Sequence, residues 1–149
     1  DNDYRVWGNL GTALLWAEAD REKYVAAKSR AIDLAAQALD TNPRDNQVRA
    51  KLAGYHAEMG DTTESLVYLS HFGETPDPAL PGETVFELGA AWEDLGERDT
   101  ALKWIKEALL RNYSTTELEL YPGLDSLRAD PRYLEMLQSI GSEVGEVVG

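Results

Sequence analysis

Cysteine is absent from the 149 residues of this chain, and histidine occurs only twice. The absence of cysteine excludes disulfide bonds and every metal site that depends on thiolate ligands. It does not fix the compartment, because reducing and oxidising locations both tolerate a chain without cysteine. We expect a cytoplasmic location first, and a periplasmic or other extracytoplasmic one if the chain follows a transmembrane segment in its parent protein.

Long apolar runs and a surplus of basic residues are also missing. The longest apolar runs span a few residues, far below the roughly 20 that cross a bilayer, so we expect no membrane insertion by this segment. Lys and Arg total 14 against 27 Asp and Glu, and the net charge is −13. Such a surface repels phosphates, so nucleic acid is not expected as a partner. Because the first residue is Asp1, we expect that the native start lies upstream.

Signatures of enzymatic chemistry are missing as well. The sequence contains no G-x-x-x-x-G-K-[ST], no G-x-G-x-x-G, no H-E-x-x-H and no kinase signature set. Glu93, Asp94 and Asp99 are neighbouring carboxylates, but their positions on a helix and its turn indicate a solvated face. His56 holds a packing position, and His71 ends a helix, where a cation suits the helix dipole. We therefore expect no catalysis, no cofactor and no metal.

Internal similarity is the strongest positive signal, in a composition whose abundant Ala, Leu and Glu favour helices over strands. The clearest copy reads Val85-x2-Leu88-Gly89-x2-Trp92, then Leu95-Gly96-Glu97, then Ala101-x3-Ile105-x2-Ala108. An earlier copy reads Leu52-Ala53-x2-His56, then Met59-Gly60-Asp61, then Ser65-x3-Leu69, then Pro76. The first copy reads Trp7-x2-Leu10-Gly11-x2-Leu14, then Ala31-x3-Ala35-x2-Ala38, then Pro43.

These copies resemble the tetratricopeptide repeat, a helix-turn-helix unit of about 34 residues. Three landmark pairs of the second and third copies stand 36 residues apart: Leu52 and Leu88, Gly60 and Gly96, Ser65 and Ala101. Leu10 and Leu52 stand 42 apart, which predicts a longer second helix in the first copy, roughly Arg21 to Leu39. The resemblance implies an all-α, tetratricopeptide-type solenoid of about three helix-turn-helix repeats with a C-terminal capping helical segment.

The repeat residues have a packing logic. We expect Gly11, Ala53 and Gly89 to lie where the two helices of a repeat approach closely, because a larger side chain would separate them. Gly60 and Gly96 fit the turn between the helices, since glycine accepts a positive φ. Among the tryptophans we expect Trp7, Trp92 and Trp104 mostly in the core, whereas Trp16 lies off the packing face of its helix. Helix-cap residues expected from the pattern are Asp45, Asp61 or Thr62, Asp99 or Glu97, Ser114 and Asp130.

The C-terminal part departs from the repeat. Ser114-x2-Glu117 is a capping box that starts a helix, Tyr121-Pro122-Gly123 ends it, and Asp130-Pro131 starts a last helix that we expect to reach about Ser139. Tyr133, Leu134 and Leu137 are spaced to cover the last repeat. The stretch Leu124 to Gly141 resembles the tail that closes tetratricopeptide arrays of bacterial multidomain signalling proteins, among them eukaryotic-like Ser/Thr kinases, nucleotide cyclases and winged-helix regulators. That resemblance implies an effector domain on the N-terminal side.

The predicted organisation is one repeat domain over residues 1–141. Its repeats cover about 4–43, 45–78 and 82–113, its cap covers 114–141, and residues 142–149 form a flexible tail. The resemblance implies a non-catalytic protein–protein interaction scaffold that holds a peptide or partner domain in a concave groove. The predicted groove residues are Thr12, Leu15, Trp16, Gly54, Ala57, Glu58, Phe86, Ala90, Glu93 and Asp94.

This set combines apolar side chains with carboxylates, so we expect a basic-apolar partner and no binding of acidic C-terminal tails. The alternative is a structural module that bridges domains or forms a homo-oligomer, with Trp16 and Phe86 buried between copies.

Overall fold

A computed structural model of the chain describes the backbone of residues 1–148 and the side chains of residues 1–142. Every regular element within residues 1–148 is a helix, so the prediction of an all-α protein is confirmed. The contacts divide the chain into unit 1, Asp1–His71, and unit 2, Phe72–Gly149. This boundary falls inside the second predicted repeat. The repeat bounds and the solenoid arrangement stay predictions.

Unit 1 contains four helices: α1 (Tyr4–Trp16), α2 (Arg21–Thr41), α3 (Asn46–Glu58) and α4 (Thr62–Ser70). Helix α1 packs against α2, α2 against α3, and α3 against α4. An aspartate begins every one of these helices, and its side chain accepts a hydrogen bond from a backbone N–H of the first turn; these are Asp3, Asp20, Asp45 and Asp61. The long second helix predicted for the first repeat, roughly Arg21 to Leu39, corresponds to α2, which extends to Thr41.

Unit 2 contains α5 (Gly82–Asp94), α6 (Arg98–Leu110), α7 (Thr115–Leu120), α8 (Asp125–Arg128) and α9 (Pro131–Val148). Helix α5 packs against α6, and α9 packs against α6 and α8. The Ser114 hydroxyl accepts the amide hydrogen of Glu117, and Asp130 accepts that of Arg132 at 3.0 Å, so both predicted caps are confirmed. At α6 the cap position belongs to Glu97, one of the two residues predicted there, although its side chain makes no capping hydrogen bond.

Four helix ends share one turn geometry, in which a residue of positive φ closes the last turn. These residues are Glu18 (φ 50°), Gly60 (79°), Gly96 (82°) and Asn112 (66°). At each end the positive-φ residue and its successor donate backbone hydrogen bonds into the last helical turn, as Gly60 does to Ala57 and Asp61 to His56. The turns at Gly60 and Gly96 were predicted. The turns at Glu18 and Asn112 were not, because neither position holds the glycine that usually indicates a positive φ.

The predicted close approach at Gly89 is confirmed. A Cβ atom there would lie 2.8 Å from Cγ1 of Ile105 and 3.2 Å from its backbone nitrogen, both on α6. Gly11 is also in a close contact, but its neighbour is the aliphatic stem of Lys28 on α2, at 2.9 Å. Both glycines bring two helices of one hairpin together, and they do so against chemically different surfaces.

The C-terminal helix corrects two predictions. Its backbone continues to Val148, beyond the expected end near Ser139, so that the segment predicted as a flexible tail begins inside this helix. The flexibility of 142–149 stays a prediction, and Gly149 lies outside the described residues. Of the three residues expected to cover the last repeat, Tyr133 is buried, Leu137 is partly buried and Leu134 is 59% exposed. Met136, which was not predicted, is buried one turn after Tyr133.

Candidate protein-binding site

Two of the predicted groove residues in unit 1 meet at a buried lysine. The ammonium nitrogen of Lys28 lies 2.8 Å from Oγ1 of Thr12 on α1 and 2.5 Å from Oε2 of Glu58 on α3. It also donates to the backbone oxygen of Gly8 at 3.1 Å. Lys28 thus joins three helices, and its ammonium group contacts both Thr12 and Glu58.

Burial makes this lysine an unusual member of a helix core, because only 1% of it is exposed. Burying a cation is costly unless hydrogen bonds and an opposite charge replace its water. Its three N–H groups have three acceptors, and the ammonium lies 5.0 Å from the ring centre of Tyr55. All three N–H groups of Lys28 are therefore engaged within unit 1.

Lys28 was not among the residues predicted from the sequence, although a signal exists. The buried residues of α2 recur at three- and four-residue steps: Tyr24, Ala27, Lys28, Ala31, Leu34 and Ala35. A lysine within that stripe can either extend to solvent or find partners inside. The glycines at 8 and 11 of α1, which leave room for Tyr55 and for the lysine stem, favour the second outcome.

The remaining groove residues of unit 1 differ in accessibility. Trp16 is 47% exposed, and Leu15 beside it is also exposed. Trp16 stands four residues after Thr12 on α1, so the two side chains share a helix face. At Gly54 a Cβ atom would have no neighbour within 4 Å, which leaves open space on α3. Ala57 is buried, so it cannot line an open surface, and that part of the prediction is wrong.

In unit 2 the structure buries Phe86 instead of presenting it. Its ring stacks on Tyr113 with centroids 4.1 Å apart and meets the edge of Tyr121 at 4.9 Å. Only 1% of Phe86 is exposed, and Ala90 one turn later is buried too. The prediction that these two residues face outward is wrong, because chain segments after α6 cover this face of α5.

Glu93 is also less open than expected. Its side chain is only 9% exposed and forms a multidentate ion pair with Arg98, the first residue of α6. Arg98 continues to Asp130, which lies 3.3 Å from it and also binds Arg132 at 2.9 Å. Asp94, in contrast, is exposed. The carboxylates of Glu93 and Asp130 thus both bind Arg98 at the start of α6.

The acid–base properties of this network follow from its arginines. Hydrogen bonds from Arg132, first through its side chain and then through its backbone, hold the pKa of Asp130 well below its usual range. Arg132 also pairs with Asp99, which is largely exposed. Asp99 was expected to be solvated only, and the structure gives it an ion-pair partner as well.

Both histidines contact other side chains of unit 1. His56 stacks on Tyr68 at 5.7 Å, as expected for a packing residue, and lies 3.5 Å from Asp61. Burial and the neighbouring Arg49 lower the pKa of His71, so the expectation of a cation at this helix end is wrong. Within the described residues, no group of three or more His, Cys, Asp and Glu side chains is arranged to hold a metal ion.

Two of the four tryptophans lie where the sequence predicted: Trp104 is buried and Trp16 is exposed. Trp7 and Trp92 are only partly buried. No helix in the part of the chain that the structure describes combines the length and apolarity needed to cross a membrane.

Comparisons with family models, with curated proteins and with solved structures gave no match to this chain.

Proposed function

We propose that this chain is a non-catalytic protein–protein interaction module, built on tetratricopeptide-like helix hairpins, of a larger signalling or regulatory protein. The observation that carries the proposal is the exposed Trp16 on the helix face that also holds Thr12. A tryptophan contributes a large apolar area, and exposed aromatic side chains of this kind are typical anchors of protein interfaces.

The net charge of the chain favours a basic-apolar partner. Thr12 and Glu58 are joined through Lys28, and Glu58 remains 20% exposed at its side chain. Lys28 has no hydrogen left for an incoming acid, whereas the chain as a whole carries a net charge of −13. Lysine or arginine side chains on an apolar helix would therefore find attraction, and acidic tails would find repulsion.

The test is a binding titration with two fluorescently labelled peptides, one amphipathic and rich in Leu and Lys, the other an acidic C-terminal tail. We expect weak, salt-sensitive binding of the first peptide and none of the second. Trp16→Ser should weaken binding of the first peptide about tenfold. Val67→Ser, which removes an exposed side chain from α4 of the same unit, is the matched control and should bind as the parent does.

Two outcomes would overturn the proposal. Tight binding of the acidic tail would show that the charge argument is wrong. Equal binding by the parent protein and the Trp16→Ser variant would show that the anchor lies elsewhere.

Self-association is the second candidate, and a different observation supports it. Val6 and Leu10 are exposed on α1, four residues apart and thus on one face. Phe86 can no longer contribute, because it is buried within unit 2. Sedimentation velocity at several concentrations tests this candidate: a mass that rises with concentration and falls back in Leu10→Ser supports it, and a constant monomer removes it.

A further inference from the structure

Thr75 is singled out by its place in the fold. Within the described residues, every other serine and threonine lies in a helix or directly before one, whereas Thr75 lies in the irregular segment between α4 and α5. Its side chain is exposed, and its hydroxyl has no hydrogen-bond partner in the part of the chain that the structure describes. Pro76 follows it and disfavours a helical backbone at Thr75. A hydroxyl on such a segment can approach a phosphoryl donor in line, whereas the backbone of a helix restricts the approach to its own hydroxyls.

Two cations of α6 hold the backbone on both sides of Thr75. The ammonium nitrogen of Lys103 donates to the backbone oxygen of Glu74 at 3.1 Å. The guanidinium of Arg111 donates to the backbone oxygen of Pro76 at 3.3 Å. The segment is thus fixed to α6 through its main chain, and the Thr75 side chain takes no part in the attachment.

The two cations differ in how much of their hydrogen-bonding capacity is used. Arg111 binds two more backbone oxygens of the same segment and lies 3.5 Å from the carboxylate of Glu107. Lys103 is exposed and has one acceptor and no carboxylate partner among the described residues. Two of its three N–H groups therefore remain free. An ammonium group on a flexible four-carbon stem binds phosphate as a point charge, so Lys103 is a suitable phosphate ligand beside an exposed hydroxyl.

We propose that Thr75 is a phosphorylation site whose phosphate is bound by Lys103. A Ser/Thr kinase would transfer the γ-phosphoryl group of ATP to Oγ1 of Thr75. The new O–P bond forms as the bond to ADP breaks, and the hydroxyl proton passes to the catalytic base of the kinase. The phosphate carries a charge of about −1.5 to −2 and makes charge-assisted hydrogen bonds with the ammonium group.

The modification would tie the segment to α6 through a side chain as well as through the main chain. The carboxylates of Glu74 and Asp77 are close in sequence and repel the phosphate, so the bound state depends on Lys103. The site goes beyond the proposed function, because Trp16 and its neighbours take no part in it.

The first experiment treats the full chain with ATP and a proline-directed Ser/Thr kinase, because Pro76 follows the acceptor, and locates the phosphate by tandem mass spectrometry. We expect phosphate on Thr75, and none on the Thr75→Val variant. Thr63→Val is the matched control, since Thr63 is exposed but lies in α4, and it should be phosphorylated as the parent is. Absence of phosphate on Thr75, or phosphate on helix hydroxyls in its place, would overturn the proposal.

The second experiment follows the phosphate of the modified chain by ³¹P NMR from about pH 4 to about pH 9. The second pKa of phosphothreonine is ordinarily about 6. Neighbouring acids should raise this pKa, whereas Lys103 should lower it. We expect a value about half a unit below that of a phosphopeptide with the sequence of residues 72–81, which contains both acids of the segment but not α6.

Lys103→Gln should remove the difference between the chain and the peptide. Lys23→Gln, at an exposed lysine of α2, is the control and should keep it. A phosphate pKa in the chain equal to or above that of the peptide would show that Lys103 does not bind the phosphate, and so would a Lys103→Gln variant that titrates as the parent does.

Discussion

In each unit a glycine lies where the two helices of the first hairpin meet, but the two glycines contact different side chains. In unit 1, Gly11 meets the stem of Lys28, and the contact ends in a hydrogen-bonded ion pair with Glu58. In unit 2, Gly89 meets Ile105 and the Cβ of Trp104, so the contact is apolar and includes backbone. The same small residue thus admits a charge in one place and close hydrocarbon packing in the other.

The difference matters for how each junction responds to change. An apolar junction against backbone has no room to adapt, so added volume must displace a helix. A charged junction depends on a complete set of acceptors, so removal of one partner leaves a buried charge without compensation. Substitutions at the two junctions should therefore act through different terms, added volume at Gly89 and lost charge compensation at Lys28.

Gly89→Leu should destabilise the protein most, by about 3 kcal/mol, because the added side chain overlaps Ile105 and its backbone. Urea unfolding followed by circular dichroism measures this change. Gly54→Ala is the control, since a Cβ at Gly54 meets nothing and alanine favours helix. An unchanged midpoint for Gly89→Leu would contradict the close contact.

Glu58→Gln should lower the free energy of unfolding by about 2 kcal/mol. The Lys28 side chain is only 1% exposed, and the substitution replaces its carboxylate partner with a neutral, weaker acceptor. The double variant Lys28→Met with Glu58→Gln should recover much of this loss, since an apolar chain of similar length needs no counter-ion. If the double variant is less stable than Glu58→Gln alone, the pair is stabilising in itself and the contrast between the units is weaker than we infer.

Asp130 gives the pH-dependent test in unit 2. Its lowered pKa means that its contribution is present above about pH 4, the ordinary range of a carboxyl group, and is lost as pH falls through the depressed value. Asp130→Asn keeps an oxygen for the helix cap and removes the charge. The free energy of unfolding should therefore be lower at neutral pH and fall less steeply below pH 4.

The control for this pH series is Asp33→Asn, a substitution at an exposed aspartate of α2. Equal acid sensitivity of Asp130→Asn and the parent protein would show that the arginines do not act through this carboxylate.

Glu18→Gly should have the smallest effect, a stabilisation of about 0.5 kcal/mol. Glu18 has a φ of 50° at the same turn position that Gly60 holds at the end of α3, and glycine relieves the steric cost of that conformation. The greater freedom of glycine in the unfolded chain offsets part of the gain. A loss of stability would show that the Glu18 side chain itself contributes to the turn.

The sequence predicted what depends on local pattern. The caps at Asp45, Ser114 and Asp130 and the turns at Gly60 and Gly96 involve residues within a few positions of one another. Helix type follows from the same short-range information. The close approach of the helices at Gly89 could be predicted because the repeat pattern aligns Gly89 with Gly11.

The candidate site was only partly predictable. Thr12 and Glu58 belong to helices separated by α2. Lys28, which joins them, falls within the periodic buried stripe of α2, where a lysine can either extend to solvent or find partners inside. Phe86 was expected to face outward because the repeat pattern contains no information about Tyr121, which lies beyond α7 and covers it. Contacts between distant segments decide both cases, and residue spacing does not encode them.

Arg111 has a consequence for how this protein can change over evolutionary time. It fixes the loop before α5 through the main-chain oxygens of Pro76, Asp77 and Leu80, and every amino acid supplies such an oxygen. These three attachments therefore survive a change of side chain, although Leu80 is also buried and the Asp77 carboxylate accepts the amide hydrogen of Ala79. A change at Arg111, in contrast, would release all three attachments at once.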